Sequence, residues 1–582
     1  MKPFAAGVIL IALAFGQARP PAAKPKAQPK AAAKSETPAA NPVSQWMKAM
    51  TLREKIAQLM VVHCYGDSPA ARTKEFKRLR HAVADLHVGG IIVINKVVRG
   101  YVVNAEPHEM ASFFNRMQRL SPKIPLIFAG DFERGASMRV SNTTKYPHAM
   151  AFGAADNLKF TFDAGAATAR ESRALGVHWV FAPDADVNNN PDNPIINIRS
   201  YGEDPQQVAA QVKAFIEGAH SDPKNRILVT AKHFPGHGDT AVDSHMGLAR
   251  IDASRERMDA VELVPFRAAV EAGVDSIMTA HMAVPALEPD EIPATVSKPI
   301  MTGLLRNGLH FKGIIVTDAM NMLGLTKMFP PGEAAVRSLE AGVDVLLMPP
   351  NPDAAIDAIV KAVAQGRIKR SRIDESVVKI LAAKLRLGIP QNRYVNVEAL
   401  SDKLDVDTDQ ERAQQVADRA VALIKNENGT LPLKKPAEAC YLVLAEGRNS
   451  QQGYQFIDEL KSRAPKVQAI RLDPTMHLAQ LDEAAKAVST CNEVVIAAFV
   501  TAREYRGNMA LPGGFVAMTY QVIEAGKPVT LIALGSPYLL RSFPKVSSYF
   551  TTYSTAPTSE LSAVKALFGD ITMTGKQVVS LK

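Results

Sequence analysis

The sequence predicts an α/β chain: a (β/α)8 barrel of the TIM type followed by a smaller α/β sandwich domain. Three observations carry that expectation. Eight short apolar runs recur between about residues 45 and 390, each is followed by a stretch long enough for a helix, and a second series of runs begins beyond Gly388 and Pro390. Runs this apolar, without polar alternation, suit parallel strands covered on both faces. Eight strand-helix units over roughly 350 residues suit a closed barrel.

Taken in order, residues 1–18 read as a signal peptide. Lys2 precedes an apolar run over 4–15, and the small residues Gly16 and Ala18 follow. That run is shorter than the ~20 residues a span needs, so no stable membrane span is expected after cleavage. The expected location is exported, periplasmic or extracellular. Residues 19–42, rich in Pro, Ala and Lys, form a solvated tether. Residues 1–40 hold six Lys or Arg and one Glu, which is +5 of the chain's formal +10. The basic balance therefore does not point to nucleic acid. Cys64, Cys440 and Cys491 lie far apart, so no disulfide framework is expected, and none has metal-ligand spacing.

The barrel is expected over 43–390, with strands in the runs at 59–63, 89–95, 124–131, 179–186, 227–233, 276–281, 313–318 and 343–348. Most of these runs close on a group that can bind or react: His63, Asn95, Asp131, Asp186, Lys232 with His233, His281 and Asp318. Active sites of such barrels are built at that rim. A linker and connecting helix follow over 391–425, with Ala413, Val416, Ala417, Ala420 and Leu423 at helical spacing. Residues 426–582 then form the sandwich domain, with strand-like runs at 441–445, 467–470, 493–500 and 528–535.

The segment KHFPGHGDTAVDSH, residues 232–245, gathers titratable groups in a loop held by Pro235, Gly236 and Gly238. Asp243 and His245 are separated by one residue, so the carboxylate can orient the imidazole and raise its basicity. Asp318, at a strand end, can act as a nucleophile or cap the next helix. Ser244 lacks a nucleophile elbow. A metal is the sharper rival, since His233, His237, Asp239, Asp243 and His245 are all potential ligands. Pro235 and Gly236 break the helix that would make the His233–His237 spacing useful, so no metal or cofactor is expected. Asp131, Arg139, Arg199, Lys232 and His233 would surround the same mouth, a set of charges and forked donors suited to a hydroxyl-rich ligand. Arg199 could instead pair with Glu203 or Asp204.

The stretches TLREKIAQLM, FAPDADVNNNPDNPIINIRSYGEDP, KHFPGHGDTAVDSH, GIIVTDAMNM and IKNENGTLPL together resemble the exo-acting β-N-acetylglucosaminidases of glycoside hydrolase family 3. The resemblance covers about residues 45 to 580. It implies a retaining mechanism with Asp318 as nucleophile and His245, held by Asp243, as acid/base. It also implies that Asp131, Arg139, Arg199, Lys232 and His233 bind the non-reducing N-acetylglucosamine, on a glycine-rich loop that moves. The usual retaining pair is two carboxylates; a histidine in place of one does not repel phosphate or the lactyl group of muramic acid. Many relatives read D-Q-E-G-G where this chain has Asp131, Phe132, Glu133, Arg134 and Gly135, which reshapes the pocket edge.

The expected partner is a carbohydrate, an N-acetylglucosamine-containing glycan such as a peptidoglycan fragment or a chitin oligosaccharide. Rival readings are a family 3 β-glucosidase or β-xylosidase taking its acid from Glu446 or Glu504, a phosphorylase, and an exported cell-wall binding protein. Oligomeric state is not legible.

Overall fold

The computed structural model describes residues 42–99 and 101–581. The expected signal peptide, and the tether except for Pro42, lie outside the described residues.

Eight parallel strands form the first sheet: β1 (Met60–Cys64), β2 (Gly90–Val93), β3 (Ile127–Gly130), β4 (Trp179–Val180), β5 (Leu228–Phe234), β6 (Ser276–Thr279), β7 (Ile314–Val316) and β8 (Leu346–Leu347). Their order is β7-β6-β5-β4-β3-β2-β1-β8. A bridge between Val316 and Val345 joins the two ends, and Thr317 N–H donates to the Val345 carbonyl at 3.0 Å, so the barrel is nearly closed. Strands β2 to β7 are buried throughout, as expected for a sheet covered by helices outside and side chains inside. Trp179 sits among these layers with its Nε1 donating to Thr230 Oγ1 at 2.8 Å and Ser276 Oγ at 2.9 Å. Those hydroxyls satisfy the one polar atom of a large apolar side chain.

The outer helices follow local rules. Helix Pro107–Leu120 turns Met110, Phe113, Phe114 and Met117 inward at helical spacing. Helix Pro205–His220 starts on Asp204, whose carboxylate accepts from the Gln206 and Gln207 amides, with Pro205 at its first position. Asp204 is thereby a cap and not the partner of Arg199.

The second sheet contains β9 (Ala422–Asn426), β10 (Cys440–Leu444), β11 (Gln468–Leu472), β12 (Val494–Val500), β13 (Val529–Gly535) and β14 (Ser548–Thr551). Its order is β9-β14-β13-β12-β10-β11, parallel except for β9, which runs antiparallel to β14. Alternation along β10 divides the two faces. Tyr441 and Val443 pack with Phe456, Leu460 and Leu567, whereas Leu442 and Leu444 join the core continuous with the barrel. The connecting helix, Asp407–Ala420, stops before Leu423, which lies in β9; Val421 is extended and breaks the helical run.

Cys440 and Cys491 form a disulfide with Cα atoms 6.1 Å apart, which corrects the expectation of no disulfide. Sequence separation hid the pairing: Cys440 opens β10, and Cys491 lies three residues before the adjacent strand β12. Cys64 is buried and free. Among the described residues no helix is long and apolar enough to cross a membrane.

The second domain, like the connecting helix, packs directly on the barrel. Arg419 Nε donates to the Ala155 carbonyl at 3.1 Å, Asn188 Nδ2 to the Tyr538 hydroxyl at 2.9 Å, and Ser580 Oγ to Glu203 at 2.6 Å. Its segment around 501–510 reaches the mouth of the barrel.

Candidate active site

The carboxyl ends of the barrel strands place most of the expected groups together. Asp131 follows β3, Lys232 and His233 lie within β5, and Asp318 lies just beyond β7. Lys232 Nζ, almost wholly buried, contacts Asp131 Oδ1 at 3.1 Å and Glu133 Oε1 at 2.7 Å. Burial disfavours its charge, but Glu133 and Asp131 hold its pKa above the ordinary value. Arg139 donates to the other Asp131 oxygen at 3.1 Å and also bonds Asn95. Asp131 remains ionised: burial raises its pKa, and Lys232 and Arg139 more than reverse that.

Arg199 forks onto Glu133 through Nε at 2.9 Å and Nη2 at 2.7 Å. Glu133, rather than Glu203 or Asp204, is therefore its partner, and it was absent from the expected site set. A bidentate guanidinium-carboxylate pair gives the mouth a rigid corner. Arg199 also lies 3.5 Å from Asp184 Oδ2.

Two further aspartates support it from below: Asp186, expected among the strand-end groups of the rim, and Asp184, which was not. Asp186 accepts from His233 Nδ1 at 2.8 Å and from the His237 amide at 2.6 Å. The Nδ1 proton is thereby held toward Asp186, leaving His233 Nε2 to face the mouth. Burial pulls the His233 pKa down to about 4, so the ring is neutral at physiological pH. Asp184 is pushed well above the carboxylate range by burial and by the adjacent Asp186. Asp184, Asp186 and His233 are also the one group among the described residues whose potential metal-ligand atoms lie within 4.8 Å of one another. Asp186 and His233 bond to each other there, while Asp184 Oδ2 makes no hydrogen bond and has Arg199 Nη2 3.5 Å away.

The loop after β5 is more firmly tied than a glycine-rich sequence suggests. A Cβ on Gly238 would fall 1.7 Å from the Val187 carbonyl oxygen, and Gly236 has φ +122° with Glu262 Cβ 2.8 Å from where its own Cβ would stand. These glycines serve close backbone approach. Asn193 Nδ2 donates to the carbonyls of His237 (2.8 Å) and Gly238 (2.9 Å), and His237 Nε2 meets Ser244 Oγ at 3.0 Å. Ser244 and His237 are thus spent on shaping the turn. Burial drops the His237 pKa to about 3.

At the loop's far end Asp243 Oδ1 accepts from His245 Nδ1 at 2.8 Å and from the His245 amide at 2.9 Å. The Nδ1 proton therefore faces the carboxylate, and Nε2 is free to give or take a proton. Burial lowers the His245 pKa, but Asp243, Asp318 and Glu504 together raise it above its ordinary value. Asp243 is itself fully buried, and its other oxygen accepts from the Tyr505 amide of the second domain at 2.8 Å.

Asp318 Oδ1 accepts from the Ala319 amide at 2.7 Å. Burial opposes its charge, yet His233, His281, His245 and that amide bring its pKa down to about 2. His281, another expected strand-end group, turns Nε2 to the Ala319 carbonyl at 3.1 Å and so braces the backbone beside Asp318. An ionised carboxylate, a neutral imidazole and an imidazole whose pKa is raised above its ordinary value thus share one mouth. That combination can attack a carbon and move a proton.

Of the second-domain glutamates, Glu446 is buried against Thr501 and Arg506. Glu504 instead lies at the mouth, with Oε2 3.7 Å from His245 Nε2.

Residues 51–383 match the glycosyl hydrolase family 3 N-terminal domain, and residues 421–582 the family's C-terminal domain. The chain is 32% identical to a β-hexosaminidase A of Pseudoalteromonas piscicida over 414 residues, 66% of each chain. It is 28% identical to a β-N-acetylglucosaminidase/β-glucosidase of Cellulomonas fimi over 551 residues, 90% of this chain and 93% of the other. The solved family 3 β-N-acetylglucosaminidase of Paenibacillus sp. str. FPU-7 superposes with a TM-score of 0.81 at 29% identity, covering 92% of this chain and 99% of that one. Both family domains are present in the family's order, on the barrel-and-sandwich scaffold of that neighbour: the chain belongs to glycosyl hydrolase family 3 and is a glycoside hydrolase.

Proposed function

We propose that the protein is a retaining exo-glycosidase that removes non-reducing β-linked N-acetylglucosamine, with peptidoglycan fragments as its natural substrate. The observation that carries this reading is the Asp243–His245 hydrogen bond at 2.8 Å, beside a carboxylate held at a pKa of about 2. Asp318 attacks the anomeric carbon while His245 Nε2 protonates the leaving oxygen. Water then gives its proton back to Nε2 and displaces Asp318 from the sugar. The Asp131, Arg139, Lys232, Glu133 and Arg199 network, with His233, binds the sugar hydroxyls. The names of the Pseudoalteromonas relative and the Paenibacillus neighbour favour the acetamido sugar, while the Cellulomonas relative is named for both sugars. Export is supported by the disulfide, a bond that persists in oxidising compartments.

A second reading has one observation in its favour. Glu504 lies close enough to the mouth to serve as the acid of a β-glucosidase. The deciding experiment compares nitrophenol release from the β-N-acetylglucosaminide and the β-glucoside in phosphate-free buffer, for the parent enzyme, His245→Ala and Glu504→Gln. Preference for the acetamido sugar, with unactivated disaccharide turnover lost in His245→Ala by about 10²- to 10⁴-fold, is the expected result. Preference for the glucoside, with that loss moved to Glu504→Gln, would assign the second reading. Peptide mapping after a slow fluorinated substrate should find the sugar on Asp318.

A further inference from the structure

The acid/base histidine of this chain faces a carboxylate from the other domain. Glu504 Oε2 is 3.7 Å from His245 Nε2, the nitrogen left free by the Asp243 hydrogen bond. Glu504 is more than half exposed at the mouth, whereas Asp243 is fully buried behind the ring. The two carboxylates thus do different things: Asp243 orients the imidazole, and Glu504 stands where whatever approaches Nε2 must pass.

Its position is enforced by the segment that carries it. Thr501 donates its amide and hydroxyl to Glu446 at 2.8 and 2.6 Å, Arg506 pairs with the same buried carboxylate, and the Tyr505 amide donates to Asp243. Arg506 also donates to the carbonyls of Thr501 and Ala510, so this nearby cation is committed elsewhere.

We infer that Glu504 is an acceptor-selecting residue, which reserves the glycosyl-Asp318 intermediate for water by presenting a negative charge to any anion approaching the anomeric carbon. The inference rests on the retaining reading above. In hydrolysis, water forms the bond to the anomeric carbon, the bond to Asp318 breaks with its electron pair returning to that carboxylate, and the water proton passes to His245 Nε2. Hydrogen phosphate could make the same displacement with an oxygen that bears no proton, giving a sugar 1-phosphate and leaving His245 neutral. A histidine alone does not hinder that route. Glu504 does, because the dianion would have to settle beside Nε2 within a few ångströms of a fixed like charge. Water carries no such cost.

The test is the partition of products from one intermediate. The full chain is given a β-N-acetylglucosaminide at rising inorganic phosphate, and free sugar and sugar 1-phosphate are counted together. The parent enzyme is expected to release free sugar throughout, Glu504→Gln to raise the ratio of sugar 1-phosphate to free sugar at least tenfold, and Glu504→Asp, which keeps the charge, to recover most of the parent ratio. An unchanged ratio in Glu504→Gln overturns the inference, and so does a parent enzyme that already forms mainly sugar 1-phosphate. The ratio is internal to each variant, so a general loss of activity does not imitate the effect. Failure of the glycosidase reading shows up separately, as no sugar product of either kind from the parent.

Discussion

The Tyr505 backbone amide, in the second domain, donates to Asp243 Oδ2 at 2.8 Å, the oxygen opposite the one that holds His245. The Asp243–His245 pair is therefore completed across the two domains. Asp243 is oriented from one side by its own loop and from the other by a segment more than 250 residues away in sequence.

The dyad sets a pH dependence. On the proposed mechanism protonated His245 releases the leaving group, and its pKa stands above 6.5 because Asp243, Asp318 and Glu504 outweigh burial. Activity as kcat/KM should fall as pH rises through that raised value. Asp318, with a pKa of about 2, imposes no loss in the neutral range. Asp243→Ala should move the basic limb to lower pH and cost about 10²-fold or more on unactivated disaccharides. It should cost less on nitrophenyl glycosides, whose leaving group needs little protonation. Full pH profiles on both substrates check this; an unmoved basic limb would contradict it.

The segment carrying Tyr505 is anchored by the buried pair of Arg506 and Glu446. Arg506→Ala leaves Glu446 short of a partner and loosens the segment. A hydrogen bond to a charged group contributes about 1.5–3 kcal/mol, so losing the Tyr505–Asp243 contact should lower kcat/KM by roughly 10- to 100-fold. Steady-state kinetics on the disaccharide, with circular dichroism to verify folding, measure the effect.

How much of this was legible beforehand divides along physical lines. The barrel strands are readable because burial on both faces leaves an unbroken apolar run, and their polar ends mark the rim. Asp243, His245 and Asp318 are readable because their chemistry lies in local spacing and strand-end position. Asp186 is readable as a strand-end group, but its pairing with His233, 47 residues away, is not, and neither is that of Glu133 with Arg199, 66 residues away. Strand β9 was hidden inside a helical spacing that Val421 interrupts, and β14 is too polar to stand out. The Cys440–Cys491 pairing depends on the neighbouring of β10 and β12, which periodicity does not reveal.

Stability resides at the opposite end of the barrel. Asp344, buried just before β8, is paired with Arg306, Arg372 and Lys379 and accepts from the Ile315 amide. Burial raises its pKa, but those cations leave it below the ordinary 3.8. Its stabilisation is therefore fully present above that value and is lost as pH falls through the lowered one. Asp344→Ala strands three cations and should destabilise by about 3–5 kcal/mol while leaving KM unchanged in the folded fraction. Urea unfolding at pH 7, paired with kinetics well below the midpoint, tests both halves.

The disulfide should act on the second domain's stability and not on its chemistry. Closing a loop with a separation of 51 residues gives about 4 kcal/mol on chain-entropy grounds. Cys491→Ser should therefore lower the denaturation midpoint, as should reduction of the parent. Kinetic constants at 25 °C should stay within about twofold, since neither cysteine approaches the mouth. A variant as stable as the parent would show the two sulfurs to be unbonded in solution.

On the proposed peptidoglycan reading, the Glu504 charge beside His245 also bears on which muropeptide fragment is preferred. In N-acetylglucosaminyl-muramic acid the lactyl group neighbours the oxygen that departs. Free, it is a carboxylate facing Glu504; joined to a stem peptide it is a neutral amide. Two like charges ~6 Å apart repel by about 0.7 kcal/mol in water and about 2.8 kcal/mol at an effective dielectric of 20. The parent enzyme should therefore prefer the peptide-bearing disaccharide by about 3- to 100-fold in kcat/KM, and Glu504→Gln should narrow that preference. Raising the salt should narrow it in the parent alone, because screening acts on the charge that the variant lacks. A preference that survives the substitution intact would mean that the enzyme recognises the peptide itself rather than the absence of a charge.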